Sequence, residues 1–251
     1  MKTRPISFST EMVQAILLKR KKITRRLNAF ATINEFPDIW KFIGKTPEHE
    51  VWHPTDKGMI GYPWFEFHTI SGASKTFIVQ CPYGKIGDIL WVKETAKIVG
   101  IHGITGFHLE GQPPVGWKSI DTVHLEFVAD KETKIIRWSD KLSKNIDCGK
   151  TLSSRFMPKV AARIFLKVTD IRVERLQNIS EGDSMKEGVI KVDRNFGSSF
   201  FHGNIKEFFA APIEAFKDLW CVINGIGSWD ANPWVWVISF ERCEKPEGFA
   251  L

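Results

Sequence analysis

Tyrosine is almost missing from this 251-residue chain, with two residues against nineteen Phe and ten Trp. Cysteine is also sparse. The four residues Cys81, Cys148, Cys221 and Cys243 include no CxxC pair, which excludes a zinc ribbon or knuckle. The N-terminus lacks an apolar signal region, and no apolar run approaches the length of a membrane span. These absences read as a soluble, reduced, cytoplasmic protein that needs no membrane. Walker loop, nucleophile elbow and dinucleotide fingerprint are all missing, as are internal repeats and low-complexity segments. The seven histidines are dispersed. His49 and His53 have helical i, i+4 spacing, but Pro54 follows and no third ligand is evident. No metal and no cofactor is expected.

What the chain does contain is enough apolar residue for a core, at 43%, with an ordinary 25% charged. Net charge is +6 and the pI about 9.1, which favours an anionic partner such as nucleic acid. The wealth of Trp fits either a stiff β-rich core or platforms that stack planar ligands.

Arg4 to Phe8 reads as a first strand, and Ser9 or Thr10 caps a helix whose apolar stripe is Met12, Val13, Ile16 and Leu17. Residues 23–27 follow as a strand with Thr24 and Arg26 on one face and Ile23 and Arg25 on the other. Residues 28–80 read as an insertion with short strands. A turn with Gly84 and Gly87 leads into a strand from Asp88 to Glu94. A second insertion, 100–157, holds strands near 123–128 and 133–138. Residues 161–177 give the longest strand pattern, kinked near Asp170. Ser180 opens a short helix to Glu187 that Gly188 ends, with Asp183 where a capping box has Glu or Gln. A loop runs to Phe201, a helix from Pro212 to Asn224-Gly225, and a central strand over residues 234–243. Regular βα alternation is absent, so the expected class is α+β: one domain, a small mixed β-barrel with short helices at its ends, enlarged by the two insertions.

The densest feature is residues 19–26, Lys-Arg-Lys-Lys-Ile-Thr-Arg-Arg, six cations in eight residues at a helix end. Such a run is commonly a solvated or phosphate-contacting surface, and it is also able to line a reactive pocket. With the order of elements, Lys19-x-Lys21-x-x-Thr24-x-Arg26 resembles the ASCH branch of the PUA-like barrels, whose signature is Gly-x-Lys-x-x-Glu-x-Arg. Lys19 stands at the Gly position and Thr24 at the Glu position. The small ASCH enzymes that hydrolyse N4-acetylcytidine have a threonine there as nucleophile, with the signature lysine as its base. They also use a glutamate late in a helix after a Leu/Ile-Thr/Ser-Glu start, and Ile179-Ser180-Glu181 reaches Glu187 at the matching offset. Gly87-Asp88-Ile89-Leu90 resembles the family's turn and strand. The segments PYGKIGD and GSWDANPWVWVISF are similar to phage and prophage ASCH-like proteins. The resemblance covers 4–27, 82–99, 161–190 and 212–243.

It implies a PUA-like fold and hydrolysis of the amide of an N4-acylated cytidine-type base. Thr24 is the implied nucleophile, Lys21 its base and Glu187 the proton shuttle or the group that orients Lys21. Neighbouring cations and burial both favour a neutral Lys21. Arg26 is a candidate for a base carbonyl or phosphate, and Trp91, Trp229 and Trp234 for stacking. Glu94 is a competing carboxylate for the pocket. Arg20, Lys22 and Arg25 supply the electrostatic background that would contact nucleic acid. Taken singly, Glu187 is also an ordinary helix end and Trp229-Asp230 a packed turn. The other reading is a non-catalytic module that binds RNA or a modified base. Its ligand would be a nucleoside, or single-stranded RNA or DNA with a modified base. The insertions either extend the cleft to hold a polymer or close it.

Overall fold

Strand residues dominate the computed structural model, which describes residues 1–46, 64–70, 75–103, 106–109, 120–137, 147–194, 197–203 and 207–249. His49, His53 and Trp52 lie outside the described residues, and so does Trp138 at the end of a predicted strand. In chain order the strands and helices are β1 (Thr3–Ser7), α1 (Thr10–Leu17), β2 (Ile23–Arg26), α2 (Ala31–Glu35), β3 (Trp40–Thr46), β4 (Trp64–Thr69), β5 (Thr76–Gln80), β6 (Ile89–Lys93), β7 (Ala96–Gly103), β8 (Gly106–Leu109), β9 (Ile120–Phe127) and β10 (Thr133–Arg137). They continue with β11 (Thr151–Leu152), β12 (Phe165–Arg175), α3 (Glu181–Lys186), β13 (Ile190–Arg194), β14 (Gly197–Phe201), α4 (Pro212–Asn224) and β15 (Trp234–Cys243). The class is mixed α+β, with most of the structure in strands.

One sheet has the order β1-β6-β12-β15-β2. Among the described residues no pairing joins β2 to β1, so this sheet has two ends. β15 pairs antiparallel with β2 and sets Val237 opposite Arg25 and Ile238 opposite Thr24. Three further sheets are β3-β4-β5, β13-β14, and β10-β9-β7-β11 with β8 beside β7.

The chain divides into two compact units, each assembled from separated segments. The first comprises Met1–Arg4, Lys19–Ile89 and Lys167–Glu241. Its core is aromatic. Phe30 stacks on Trp236 at 4.6 Å, Phe65 meets Trp236 edge-on at 4.7 Å, and Phe67 meets Phe30 at 5.8 Å. Those rings are almost fully buried, and the Trp236 indole N–H finds the Asn28 carbonyl at 2.7 Å. The region 28–80, read as an insertion, thus supplies part of this core. Gly84 (φ +101) closes the turn before β6, where a Cβ would stand 2.6 Å from Asp88 Oδ2. That carboxylate is committed, since it accepts from the Lys2 and Lys85 backbone N–H groups at 2.8 and 3.3 Å.

The second unit comprises Pro5–Leu18, Leu90–Leu166 and Arg242–Leu251. Strict alternation builds β9, where Val123, Leu125 and Phe127 are buried and His124 and Glu126 half-buried.

Strand β12 runs without a break through Asp170, the place of the expected kink. What changes there is the buried parity, from Leu166 and Val168 to Ile171 and Val173. The segment expected to be a loop before Phe201 is the hairpin β13–β14, with Ile190 opposite Phe201. Only Ile190 and Val192 alternate in β13, too little pattern to announce a strand.

Candidate active site

The site is assembled where the basic run meets the end of α3. Ser180 caps that helix by accepting from the Asp183 N–H at 3.1 Å, and the Ser184 hydroxyl donates to the Ser180 carbonyl at 3.0 Å. At the other end Glu187 is the cap residue, and Gly188 at φ +110 turns the chain away. The turn leaves carbonyls exposed to partners, and residues 20–22 use them. The Lys22 N–H donates to Lys186 O at 2.8 Å, and the Arg20 guanidinium to Gly188 O at 3.0 Å. Between these two stitches Lys21 is driven inward. Its Nζ donates to Glu187 O at 2.8 Å and to Glu187 Oε2 at 2.5 Å, joining residues 166 apart in sequence. Lys21 is 4% exposed and Glu187 3%.

Burial pushes the Lys21 ammonium below its ordinary pKa. The charge and hydrogen bond of Glu187 oppose that shift, and the Arg26 and Arg25 cations reinforce it. Burial likewise lowers Arg26 and Arg20.

Arg25 and Glu187 share the next tier. The Arg25 Nη1 donates to Glu187 Oε1 at 3.2 Å, while Nη2 donates to Glu174 Oε1 and to Asp183 Oδ2, the latter at 3.4 Å. Arg172 then spans the same two carboxylates, bonding Asp183 Oδ2 and, at 3.3 Å, Glu174 Oε2. The Phe216 ring lies against Arg25, with the guanidinium carbon 5.7 Å from its centroid.

Of the other residues expected at the site, Thr24 is buried in β2 and adjoins Arg25 in the chain. In the register it lies opposite Ile238 of β15. Arg26 sits opposite Trp236 in the register, and Lys22 is exposed. Trp229 packs edge-on against Phe216 at 6.2 Å, and its carbonyl accepts from Gln177 at 3.0 Å. Trp234 donates its indole N–H to Pro37 O at 3.1 Å, lies edge-on to Phe67 at 5.2 Å, and has Arg175 over its face at 5.5 Å. Trp229 is buried and Trp234 half-buried against these partners in the first unit.

Glu94 and Trp91 belong to the second unit. Glu94 is 1% exposed, and both its oxygens are taken by Arg163, through Nε at 2.9 Å and Nη2 at 2.7 Å. Arg163 also bonds Asp130, at 2.8 and 2.9 Å, and Glu132, with its guanidinium 4.0 Å from the Phe127 centroid. Trp91 packs against Phe249 at 6.2 Å.

Two site residues carry no reading in the sequence: Glu174 and Arg172. Arg172 and Glu174 alternate with buried Ile171 and Val173, a signal that marks a polar face without naming its partner. Asp183 was assigned to the helix cap. Its side chain instead receives Arg172, Arg25 and Lys186, and Ser180 does the capping.

Comparison with protein-family models, with curated proteins and with solved structures finds no match for the chain. Among the described residues no group of three or more His, Cys, Asp or Glu is placed to hold a metal ion, and no helix is long and apolar enough to cross a membrane.

Proposed function

We propose that the chain is a PUA-like protein of the ASCH type that hydrolyses the amide of an N4-acylated cytidine-type base at Lys21, Thr24 and Glu187. The observation that carries the reading is the buried 2.5 Å contact between Lys21 Nζ and Glu187 Oε2. A lysine serves as base only when it is neutral, and a short contact to a carboxylate in a dry site gives its proton somewhere to go. The ammonium passes a proton to Glu187, leaving an amine and a carboxylic acid. The amine takes the Thr24 hydroxyl proton as the oxygen bonds to the acyl carbon. Glu187 returns its proton to N4 as the C–N bond breaks, which leaves an acyl-Thr24 ester, a free amino base and the original ion pair. Water then cleaves the ester. Lys19 supports the family reading. Its φ of +59 is the left-handed backbone that glycine adopts most readily, at the place where the ASCH signature has glycine.

The test is release of cytidine from N4-acetylcytidine by the purified protein. Turnover is expected, and Thr24→Ala is expected to abolish it while the protein stays folded. Turnover that survives Thr24→Ala, or no turnover in the unaltered protein, refutes the reading.

One observation favours a second reading, in which the same pocket binds RNA or a modified base without chemistry. Each oxygen of Glu187 is held by a cation, Oε2 by Lys21 and Oε1 by Arg25, an arrangement that suits a rigid binding surface as well as a reacting group. Binding that weakens steeply with salt, without turnover, would select this alternative.

A further inference from the structure

Arginine meets a carboxylate most favourably as a fork, with two parallel N–H···O bonds to one group. Arg163 does this with Glu94. Arg25 does not do it with Glu187. Its Nη1 reaches Oε1 alone, at 3.2 Å, and its Nη2 is drawn off by Glu174 and Asp183. The second Glu187 oxygen is left to Lys21. Glu174 and Asp183 are themselves held by Arg172, so the outer arm of Arg25 is anchored from the half-exposed rim inward.

We propose that Glu174 and Asp183 are positioning residues that hold the outer arm of Arg25 and so keep its fork off Glu187 Oε2, reserving that oxygen for Lys21. The inference rests on Lys21 and Glu187 being the proton-handling pair of the proposed function. Without the two carboxylates, Arg25 closes on both oxygens of Glu187. Lys21 then keeps the Glu187 carbonyl but loses the carboxylate. The charged groups facing Lys21 are Glu187 at the end of α3 and Arg25 and Arg26 on β2. Losing the one anion among them favours the neutral amine.

The test follows the Lys21 Nζ titration by NMR in the full chain, with labelled lysine and assignment by Lys21→Arg. In Glu174→Gln/Asp183→Asn the midpoint is expected to fall by about one pH unit. Glu174→Asp/Asp183→Glu, which keeps both acceptors, is expected to restore it. Removing two negative charges would lower the midpoint even without any movement of Arg25, so the deciding comparison is made in an Arg25→Gln background. There the same pair of changes is expected to have almost no effect, because no fork remains to close. A shift of equal size in that background overturns the proposal, as does an unchanged midpoint in the Arg25 protein. If Arg25→Gln does not fold, Arg25→Lys, which has no second arm, takes its place. With N4-acetylcytidine as substrate, the acid limb of the pH–rate profile is expected to move to lower pH with the titration. No turnover in the unaltered protein overturns the hydrolytic reading alone, and the titration still decides the positioning.

Discussion

Each compact unit buries one carboxylate beside an arginine, and the two do it differently. In the second unit Glu94 receives a complete fork from Arg163, a cation that keeps its proton throughout the accessible pH range. Its two oxygens are occupied, and the guanidinium lies over Phe127. In the first unit Glu187 is divided between an arginine and a lysine, and the lysine is the shorter contact. Burial brings lysine to its neutral form far more readily than arginine, whose ordinary pKa is high enough to keep it charged. A buried carboxylate given wholly to arginine is a fastener. One shared with a buried lysine sits beside a group whose charge burial opposes.

The most forceful way to break this comparison is to orphan a buried partner. Glu187→Ala leaves Lys21 buried without its carboxylate, and Arg163→Ala leaves Glu94 in the same position. Each is expected to cost about 3–5 kcal/mol in urea unfolding. Replacing both members, as in Lys21→Met/Glu187→Leu, is expected to recover much of that loss while ending turnover. A loss that the double change does not recover would show that the pair itself stabilises the fold.

Acid separates the clusters more finely. Burial raises the Glu94 carboxyl above its ordinary 4.5, against the hydrogen bonds and charge of Arg163. Its folded form binds protons more readily than its unfolded form. As pH falls through the folded pKa to 4.5, this group therefore adds stability. Burial also works to raise Asp183, but the Arg172 and Arg25 charges overcome it and hold the carboxyl below its ordinary 3.8. Its contribution is complete above 3.8 and is lost as pH falls from there through the folded pKa. Thermal unfolding of Glu94→Gln and Asp183→Asn against the unaltered chain, from about pH 7 to about pH 3, checks both signs. The advantage over Glu94→Gln should grow toward 4.5, and the advantage over Asp183→Asn should shrink below 3.8.

The smallest effect concerns the rings beneath the two arginines. Arg163 stands 4.0 Å from the Phe127 centroid and Arg25 5.7 Å from that of Phe216. A double-mutant cycle of Arg→Met with Phe→Leu should give a coupling of about 1 kcal/mol for the first pair and less for the second. Equal couplings would remove this distinction between the clusters.

Local signals in the sequence located much of the frame. Strand β15 follows from its unbroken apolar run, α1 from Ser9 and its stripe, and α4 from Pro212 and Gly225. Elements that draw their stability from distant partners stayed hidden. The aromatics of residues 28–80 show no period of their own, and they become core only once Trp236 arrives from β15. At the site, Lys21 and Glu187 were named through a family resemblance, since nothing in either segment refers to the other. Arg25 shows the limit most clearly. Within a run of six cations, sequence does not tell which ones turn inward. Arg25 has only 1% of its side chain exposed and is committed to three carboxylates, whereas Lys22 faces solvent. The three candidate tryptophans each satisfy a packing role that composition could not separate from ligand stacking.

Strand β2 ends its sheet, with β15 on one side and, among the described residues, no strand on the other. An end strand offers unpaired backbone groups that invite another chain to add on and begin an aggregate. Inward-turned charges and nearby lysines are among the ways natural sheets discourage this. Here the edge is covered as well, since Ile23, Thr24 and Arg25 are buried and the Lys22 N–H just before them is taken by Lys186 O at the end of α3. Loosening the end of α3 to probe the site would also uncover that edge.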